Sequence, residues 1–215
     1  CKSQDIAFAP DLRKHESLHA RSLARLGWAM ELISGEEHKA LDYYHRAHEH
    51  EPANPYYLAD MLSFDMYCSH TDDLPASMRT TIRQAINTCR EHAITEIELP
   101  YAYFTAGRLS LLLEQTVDAI RYYARGIQYC LAGVYCVPED IFDVEIQQLR
   151  RLHFAKPLPA NYQHVVDILM LGQSMANGNK VTAATPSLEP PILIISGAAA
   201  SFDKKLFDNI RTFLF

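Results

Sequence analysis

Apolar and small residues recur at helical spacing along most of the chain, and one arrangement of them occurs three times. Ala40, Ala85 and Ala119 each open a stretch of similar shape, continued by LDYYHRAHEHEP, INTCREHA and IRYYARGIQYC. The second and third alanines are 34 residues apart, which is the length of a unit of two antiparallel helices joined by a turn. In such units small residues let the helices approach closely, and aromatic rings fill the gaps between units. The pattern therefore predicts an array of helix pairs.

Two of the three units match each other in detail. In the first unit, Gly27 falls on the first predicted helix, Gly35 in the turn and Tyr44 on the second helix, which Pro52 ends. In the third unit, aromatic and small residues follow in the same order: Tyr103, Ala106, Gly107, Ala119, Tyr123 and Gly126. These positions resemble the tetratricopeptide repeat, and the resemblance implies a solenoid of stacked helix pairs.

The second unit is longer than the other two, and its surplus lies in the polar segment SHTDDLPASM, which predicts a loop. The first helix of this unit is predicted to start near Pro55. Its second helix is predicted to run from about Pro75 to Ala93. Two further helices are predicted in VPEDIFDVEIQQLRRLHF and PANYQHVVDILMLGQSMANG. Because they lack the repeat pattern, we interpret them as a helical cap over the exposed end of the array.

The composition changes after Gly178, where the proline-containing segment NKVTAATPSLEPP predicts an extended linker. The apolar run ILII, a turn of small residues and the segment SFDKKLFDNIRTFLF then predict a strand, a turn and a helix, as at the start of a Rossmann-like sheet. The predicted fold is all-α, a tetratricopeptide-like solenoid with a helical cap, followed by a short β-turn-α fragment. The predicted segments are residues 1–14 as an N-terminal extension, 15–178 as the repeat domain, 179–191 as the linker and 192–215 as the truncated Rossmann-like start.

This order of parts resembles bacterial proteins in which a tetratricopeptide sensor region (TPR-S-like) precedes a SLOG or LSDAT type domain, which is a Rossmann-like nucleotide-sensing fold. The resemblance implies a role in bacterial conflict or immune signalling, in which the sensor controls an effector. The turn formed by Ser196, Gly197, Ala198 and Ala199 is the candidate phosphate-binding loop. It has one glycine where a dinucleotide fingerprint has three, so an ordinary strand-helix turn remains the alternative.

The charge and composition restrict the classes of partner. The 215 residues carry a formal net charge of −6, which argues against general nucleic-acid binding. The sequence contains no apolar run of membrane-spanning length and no signal peptide, and we expect a cytoplasmic protein. His45 shares a helical face with Glu49 at a spacing of four residues, or with His48 at a spacing of three, but a solvated face is favoured over a metal site. We expect no cofactor and no catalytic residue within this chain.

Candidate ligand contacts follow from the repeat register, which places the first helix of each pair on the concave surface. The predicted groove residues are Arg21, Arg25, Trp28, Tyr56, Tyr101, Phe104 and Arg108. Arginine and aromatic side chains suit a carboxylate, a phosphate or a base. The alternative is that these arginines pair with local acids such as Glu31 or Asp60. The pair Arg150 and Arg151 is interpreted as the solvated end of a helix.

Three functional hypotheses remain open at this point. The first is a binding and regulatory module that takes a protein, a peptide or a nucleotide-derived signal and controls an attached domain. The second is part of a nucleotide-processing enzyme whose catalytic residues lie beyond Phe215, because the chain ends within an apolar run and is expected to be a piece of a longer protein. The third is a scaffold for homo-oligomerisation.

Overall fold

A computed structural model describes residues 5–70, 74–132, 137–138, 140–152 and 162–178, with side chains described from residue 18 onward. Within these ranges every regular element is an α-helix, so the predicted all-α class is confirmed. The eight helices are α1 (Asp5–Glu31), α2 (Glu37–His50), α3 (Pro55–Ser69), α4 (Ala76–Ile94), α5 (Tyr101–Leu112), α6 (Thr116–Leu131), α7 (Ile141–Leu152) and α8 (Tyr162–Ala176). The predicted linker and the strand-turn-helix segment lie outside the described residues.

The chain divides into two compact units. Unit 1 comprises Cys1–Thr88 with Arg151–Leu158, and unit 2 comprises Cys89–Arg150 with Pro159–Phe215. In unit 1, α2 packs against α1 and α3; in unit 2, α6 packs against α5 and α8. The helix pairs α1–α2 and α5–α6 correspond to the first and third units of the sequence pattern. The boundaries predicted for the domains stay predictions, although α1 begins before residue 15.

Local sequence signals explain where the helices begin and end. Gly35, in the turn between α1 and α2, has a φ of 88°, a conformation that glycine adopts without steric cost. The side chain of Asn54 accepts a hydrogen bond of 3.0 Å from the backbone N–H of Tyr56 and so caps α3, while Pro55 occupies the first helical position. The helix start predicted near Pro55 is therefore confirmed.

The helices of each pair approach closely because a tyrosine ring lies where a glycine has no side chain. In unit 1 a Cβ built on Gly27 would lie 3.0 Å from the ring of Tyr44. In unit 2 a Cβ on Gly107 would lie 2.6 Å from the ring of Tyr123. Both tyrosines are almost fully buried. The small-against-aromatic pairing expected from the repeat pattern is thus present in both units.

The helix α6 carries a further glycine at its interface with α5. A Cβ on Gly126 would overlap the ring of Phe104, which stacks on Tyr123 with 5.8 Å between ring centroids. The helices α7 and α8 add to this core, because Phe142 on α7 and Ile127 on α6 both face Gly172 of α8. Four further apolar residues of α7 are buried: Ile141, Ile146, Leu149 and Leu152.

Replacing Gly107 or Gly126 by alanine is expected to destabilise unit 2 by about 1–3 kcal/mol, since overpacking a close interface costs that much. Alanine normally favours a helix over glycine, so a loss of stability isolates the ring contact. Urea unfolding followed by circular dichroism measures it. The exposed neighbour Arg125→Ala is the control and should stay within about 0.5 kcal/mol of the wild type. A Gly126→Ala protein as stable as the wild type would contradict this packing.

Candidate functional site

The seven predicted groove residues are divided between the two units and differ in exposure. Arg21 and Arg25 are exposed on α1, as is Trp28, while Tyr56 on α3 is half-buried and Tyr101 lies exposed at the start of α5. Phe104 and Arg108 are in the interior of unit 2, which differs from the open position expected for them. A ligand-binding role for the seven stays a prediction. The phosphate-loop candidate, residues 196–199, lies outside the described residues.

The exposed side of α1 combines arginine with large apolar side chains. Five exposed residues follow one another at alternating spacings of three and four: Leu18, Arg21, Arg25 and Trp28 on α1, and Leu32 in the turn directly after it. We call this set the α1 stripe. Ala20, Leu23 and Gly27 form the buried side of the same helix, and α1 packs on α2. The stripe therefore points away from the core of unit 1.

A buried polar cluster in unit 2 is centred on Arg108 of α5. Its Nε lies 3.2 Å from the Oε1 of Glu145 on α7, and its Nη1 donates a 2.8 Å hydrogen bond to the side chain of Gln148. The hydroxyl of Tyr123 donates a 2.8 Å hydrogen bond to the same carboxylate. Arg108 is only 6% exposed. The guanidinium that was predicted to bind an anionic ligand is thus neutralised by a carboxylate of its own unit.

A second buried polar cluster lies in unit 1 and is centred on Arg151. Its guanidinium pairs with Glu31 of α1, lies 3.9 Å from a carboxylate oxygen of Asp60 and donates a 3.2 Å hydrogen bond to the Tyr44 hydroxyl. The Tyr44 hydroxyl in turn donates to Glu31 over 3.1 Å. The guanidinium also lies over the rings of Tyr44 and Phe64, at 5.3 and 5.4 Å from their centroids. Every one of these contacts is within unit 1.

The two clusters have the same chemical plan. In each, the tyrosine of the second helix donates its hydroxyl to a glutamate that also pairs with an arginine. Burial raises the pKa of Tyr44 and of Tyr123, so both phenols stay neutral donors. Burial also raises the pKa of Glu31, and the nearby Arg151 offsets only part of that shift. In each cluster these hydrogen bonds and ion pairs connect side chains of different helices.

The structure corrects the interpretation of Arg151 as part of a solvated helix end. Arg150 is exposed as expected, but the next side chain is buried in unit 1 at 6% exposure. The alternative named Glu31 and Asp60 as possible partners of Arg21, Arg25 and Arg108. In the structure these two acids lie beside Arg151, which is far from them in the sequence. The sequence analysis did not identify Glu145 and Gln148. Their positions next to the apolar residues Ile146 and Leu149 of α7 were the signal that these two polar side chains are buried.

Two histidines of unit 1 lie close together. The rings of His19 and His50 are edge to face with 4.7 Å between centroids. Burial lowers the pKa of His48, which favours the neutral ring. Among the described residues, no group of three or more histidine, cysteine or acidic side chains is arranged to hold a metal ion.

No protein-family model, curated protein or solved structure matches the chain. None of the helices in the described ranges combines the length and the apolar character needed to cross a membrane. The candidate site therefore rests on the geometry of this chain alone.

Replacing Arg151 by methionine is expected to lower the stability of the protein by about 3 kcal/mol or more, because it leaves the largely buried carboxylate of Glu31 without its cation. Thermal and urea unfolding measure the loss. Arg150→Met is the matched control, since it removes the same charge from the exposed neighbouring position and should change stability by less than about 0.5 kcal/mol. Equal effects of the two substitutions would show that Arg151 is solvated.

Replacing Tyr123 by phenylalanine removes only the hydroxyl that donates to Glu145 and is expected to cost about 1–3 kcal/mol, because the carboxylate stays buried. The adjacent Tyr122→Phe is the control at a half-buried position and should have a smaller effect. Urea unfolding of both proteins under one set of conditions makes the comparison. A larger loss from Tyr122→Phe would contradict the assignment of the hydrogen bond.

Proposed function

We propose that this chain is a binding module built from tetratricopeptide-like helix pairs stacked as a solenoid, which takes a protein, peptide or nucleotide-derived ligand and regulates an attached domain. The observation that carries the proposal is the repeated packing of a tyrosine on a glycine, Tyr44 on Gly27 and Tyr123 on Gly107. Two helix pairs with the same internal contact favour a repeat architecture. Repeat architectures present extended surfaces for binding.

The distribution of polar groups supports binding in preference to chemistry within the described residues. The buried arginines Arg108 and Arg151 are engaged with carboxylates of their own units. The accessible arginines Arg21 and Arg25 lie beside the exposed Trp28 on α1. Arginine and tryptophan are the side chains most enriched among energetically dominant contacts of binding surfaces. The exposed face of α1 is therefore the recognition surface in this proposal.

The regulatory part of the proposal rests on the sequence. Residues 192–215 resemble the first strand, turn and helix of a SLOG-type domain, which would place a nucleotide-sensing domain after the helical array. In this proposal, ligand binding to the helical part changes the state of that domain, as expected for a sensor in bacterial defence signalling. The Ser196 turn is a second candidate position for a phosphate.

A thermal-shift screen tests the proposal. Nucleotides, cyclic nucleotides, ADP-ribose derivatives and a panel of peptides are added to the wild type and to the triple variant Arg21→Ala, Arg25→Ala, Trp28→Ala. A ligand at a hundred times its dissociation constant stabilises the folded state by about 2.7 kcal/mol, which raises the melting temperature by several degrees.

We expect at least one ligand class to shift the wild type but not the triple variant. The control pair Arg121→Ala and Arg125→Ala removes two exposed arginines of α6 in unit 2 and should keep the shift. A shift that survives the triple variant would remove α1 from the recognition surface. No shift with any class of ligand would contradict a binding function.

A further inference from the structure

The α1 stripe has the geometry of a seam between two helices. Its spacings of three, four, three and four residues are those of the a and d positions of a coiled coil. At about 1.5 Å per residue the stripe runs for roughly 21 Å, or about four helical turns. Leu18 is 54%, Trp28 44% and Leu32 68% exposed. Apolar side chains of this size, exposed in a single row, fit a second helix laid along them.

The middle of the stripe is positively charged. Arg21 and Arg25 lie between the apolar ends formed by Leu18 on one side and Trp28 with Leu32 on the other. In the part of the chain that the structure describes, no carboxylate forms an ion pair with either arginine. A partner helix that covers the apolar ends brings its own central residues against these two charges. Complementarity then requires acidic residues there.

A second copy of this chain does not meet that requirement. A parallel pairing in register places each arginine against its own counterpart. The antiparallel pairing that matches Leu18 with Leu32 sets the two Arg25 guanidinium groups side by side. Like charges facing each other at an interface disfavour the pairing. The charge pattern therefore selects a partner that differs from α1 itself.

The C-terminal segment of the chain is not complementary either. Its apolar residues Phe202, Leu206, Ile210 and Phe213 stand at helical spacing, but Lys204, Lys205 and Arg211 outnumber Asp203 and Asp208. A helix with this excess of positive charge would bring further cations to Arg21 and Arg25. The charges thus favour a partner from outside the chain.

We propose that the α1 stripe binds an acidic amphipathic helix of a partner protein, with apolar residues of that helix on Leu18, Trp28 and Leu32 and its carboxylates on Arg21 and Arg25. The inference rests on the proposed binding function and names the partner class. The two arginines set the register and orientation of the bound helix, because a shift of one turn separates the charges from their partners. The apolar positions supply the buried area.

Trp28 makes a direct test available, because it is the only tryptophan in the chain. The probe is a synthetic helical peptide of about 21 residues without tryptophan, matched to the roughly 21 Å stripe with flanking residues for helicity. It carries leucine at the heptad positions that meet the apolar ends and glutamate at the two that meet the arginines. A second peptide carries lysine at those two positions. Titration into the full 215-residue chain is followed by the emission of Trp28.

Burial of the indole by the glutamate peptide is expected to shift the emission to the blue with a saturable curve that weakens as salt is added. The lysine peptide should bind at least about tenfold more weakly, since it places like charges together. The variant Arg21→Glu with Arg25→Glu should reverse this preference. Arg121→Glu with Arg125→Glu, on exposed α6 positions of unit 2, is the control and should leave it unchanged. Helicity by circular dichroism checks that the variants are folded.

Several results would overturn the proposal. Equal binding of the two peptides would reduce the stripe to an apolar surface, and no binding of either would remove a partner helix. A dimer seen by light scattering and abolished by Trp28→Glu would make a second copy the occupant. Binding to anionic phosphatidylglycerol vesicles with no response to the glutamate peptide would make a lipid surface the occupant.

The failure of this inference is distinguishable from the failure of the proposed function. A nucleotide that stabilises the wild type but not the alanine triple variant, with no peptide response, keeps the binding function and overturns the acidic helix. An absence of response to peptides, nucleotides and vesicles alike contradicts both.

Discussion

The fold depends on a tyrosine held at both ends between paired helices. The ring lies against a glycine of the first helix, as Tyr123 lies against Gly107, and the hydroxyl donates to a buried glutamate. The ring contact sets how closely the helices approach, because any side chain on the glycine would push them apart. The buried hydroxyl needs an acceptor, which in this structure is a carboxylate, and the buried carboxylate is paired with an arginine. Close packing and the buried ion pair thus meet at the same tyrosine.

Four arginines fall into two groups, one buried and one exposed. Arg108 and Arg151 are removed from water, and a buried cation is tolerated only with a paired carboxylate and good hydrogen bonds. Arg21 and Arg25 stay in water beside exposed apolar side chains. Because Arg108 and Arg151 are buried, they are not accessible to a ligand. The exposed guanidinium groups of Arg21 and Arg25 can still donate hydrogen bonds to one. In the proposed function, recognition is therefore assigned to α1.

The helical elements were predictable because their signals are local, whereas the polar clusters were not. Gly35 and Asn54 mark helix ends by backbone and capping chemistry, and both mark an end in the structure. The burial of Arg108 depends on Glu145, a residue of a helix that lacks the repeat pattern. The partner of Glu31 is Arg151, and nothing in the sequence near either residue indicates the other. Contacts between distant segments need the tertiary fold before they are visible.

The central claim is that recognition takes place on α1 while the buried clusters hold the helices together. Amide hydrogen exchange of the chain with and without a bound acidic helix tests it most directly, because exchange reports protection element by element. The account predicts slower exchange in α1 over the turns that carry Arg21 to Trp28, and unchanged exchange in α5 and α6. Protection confined to α5 and α6, with α1 unaffected, would contradict it.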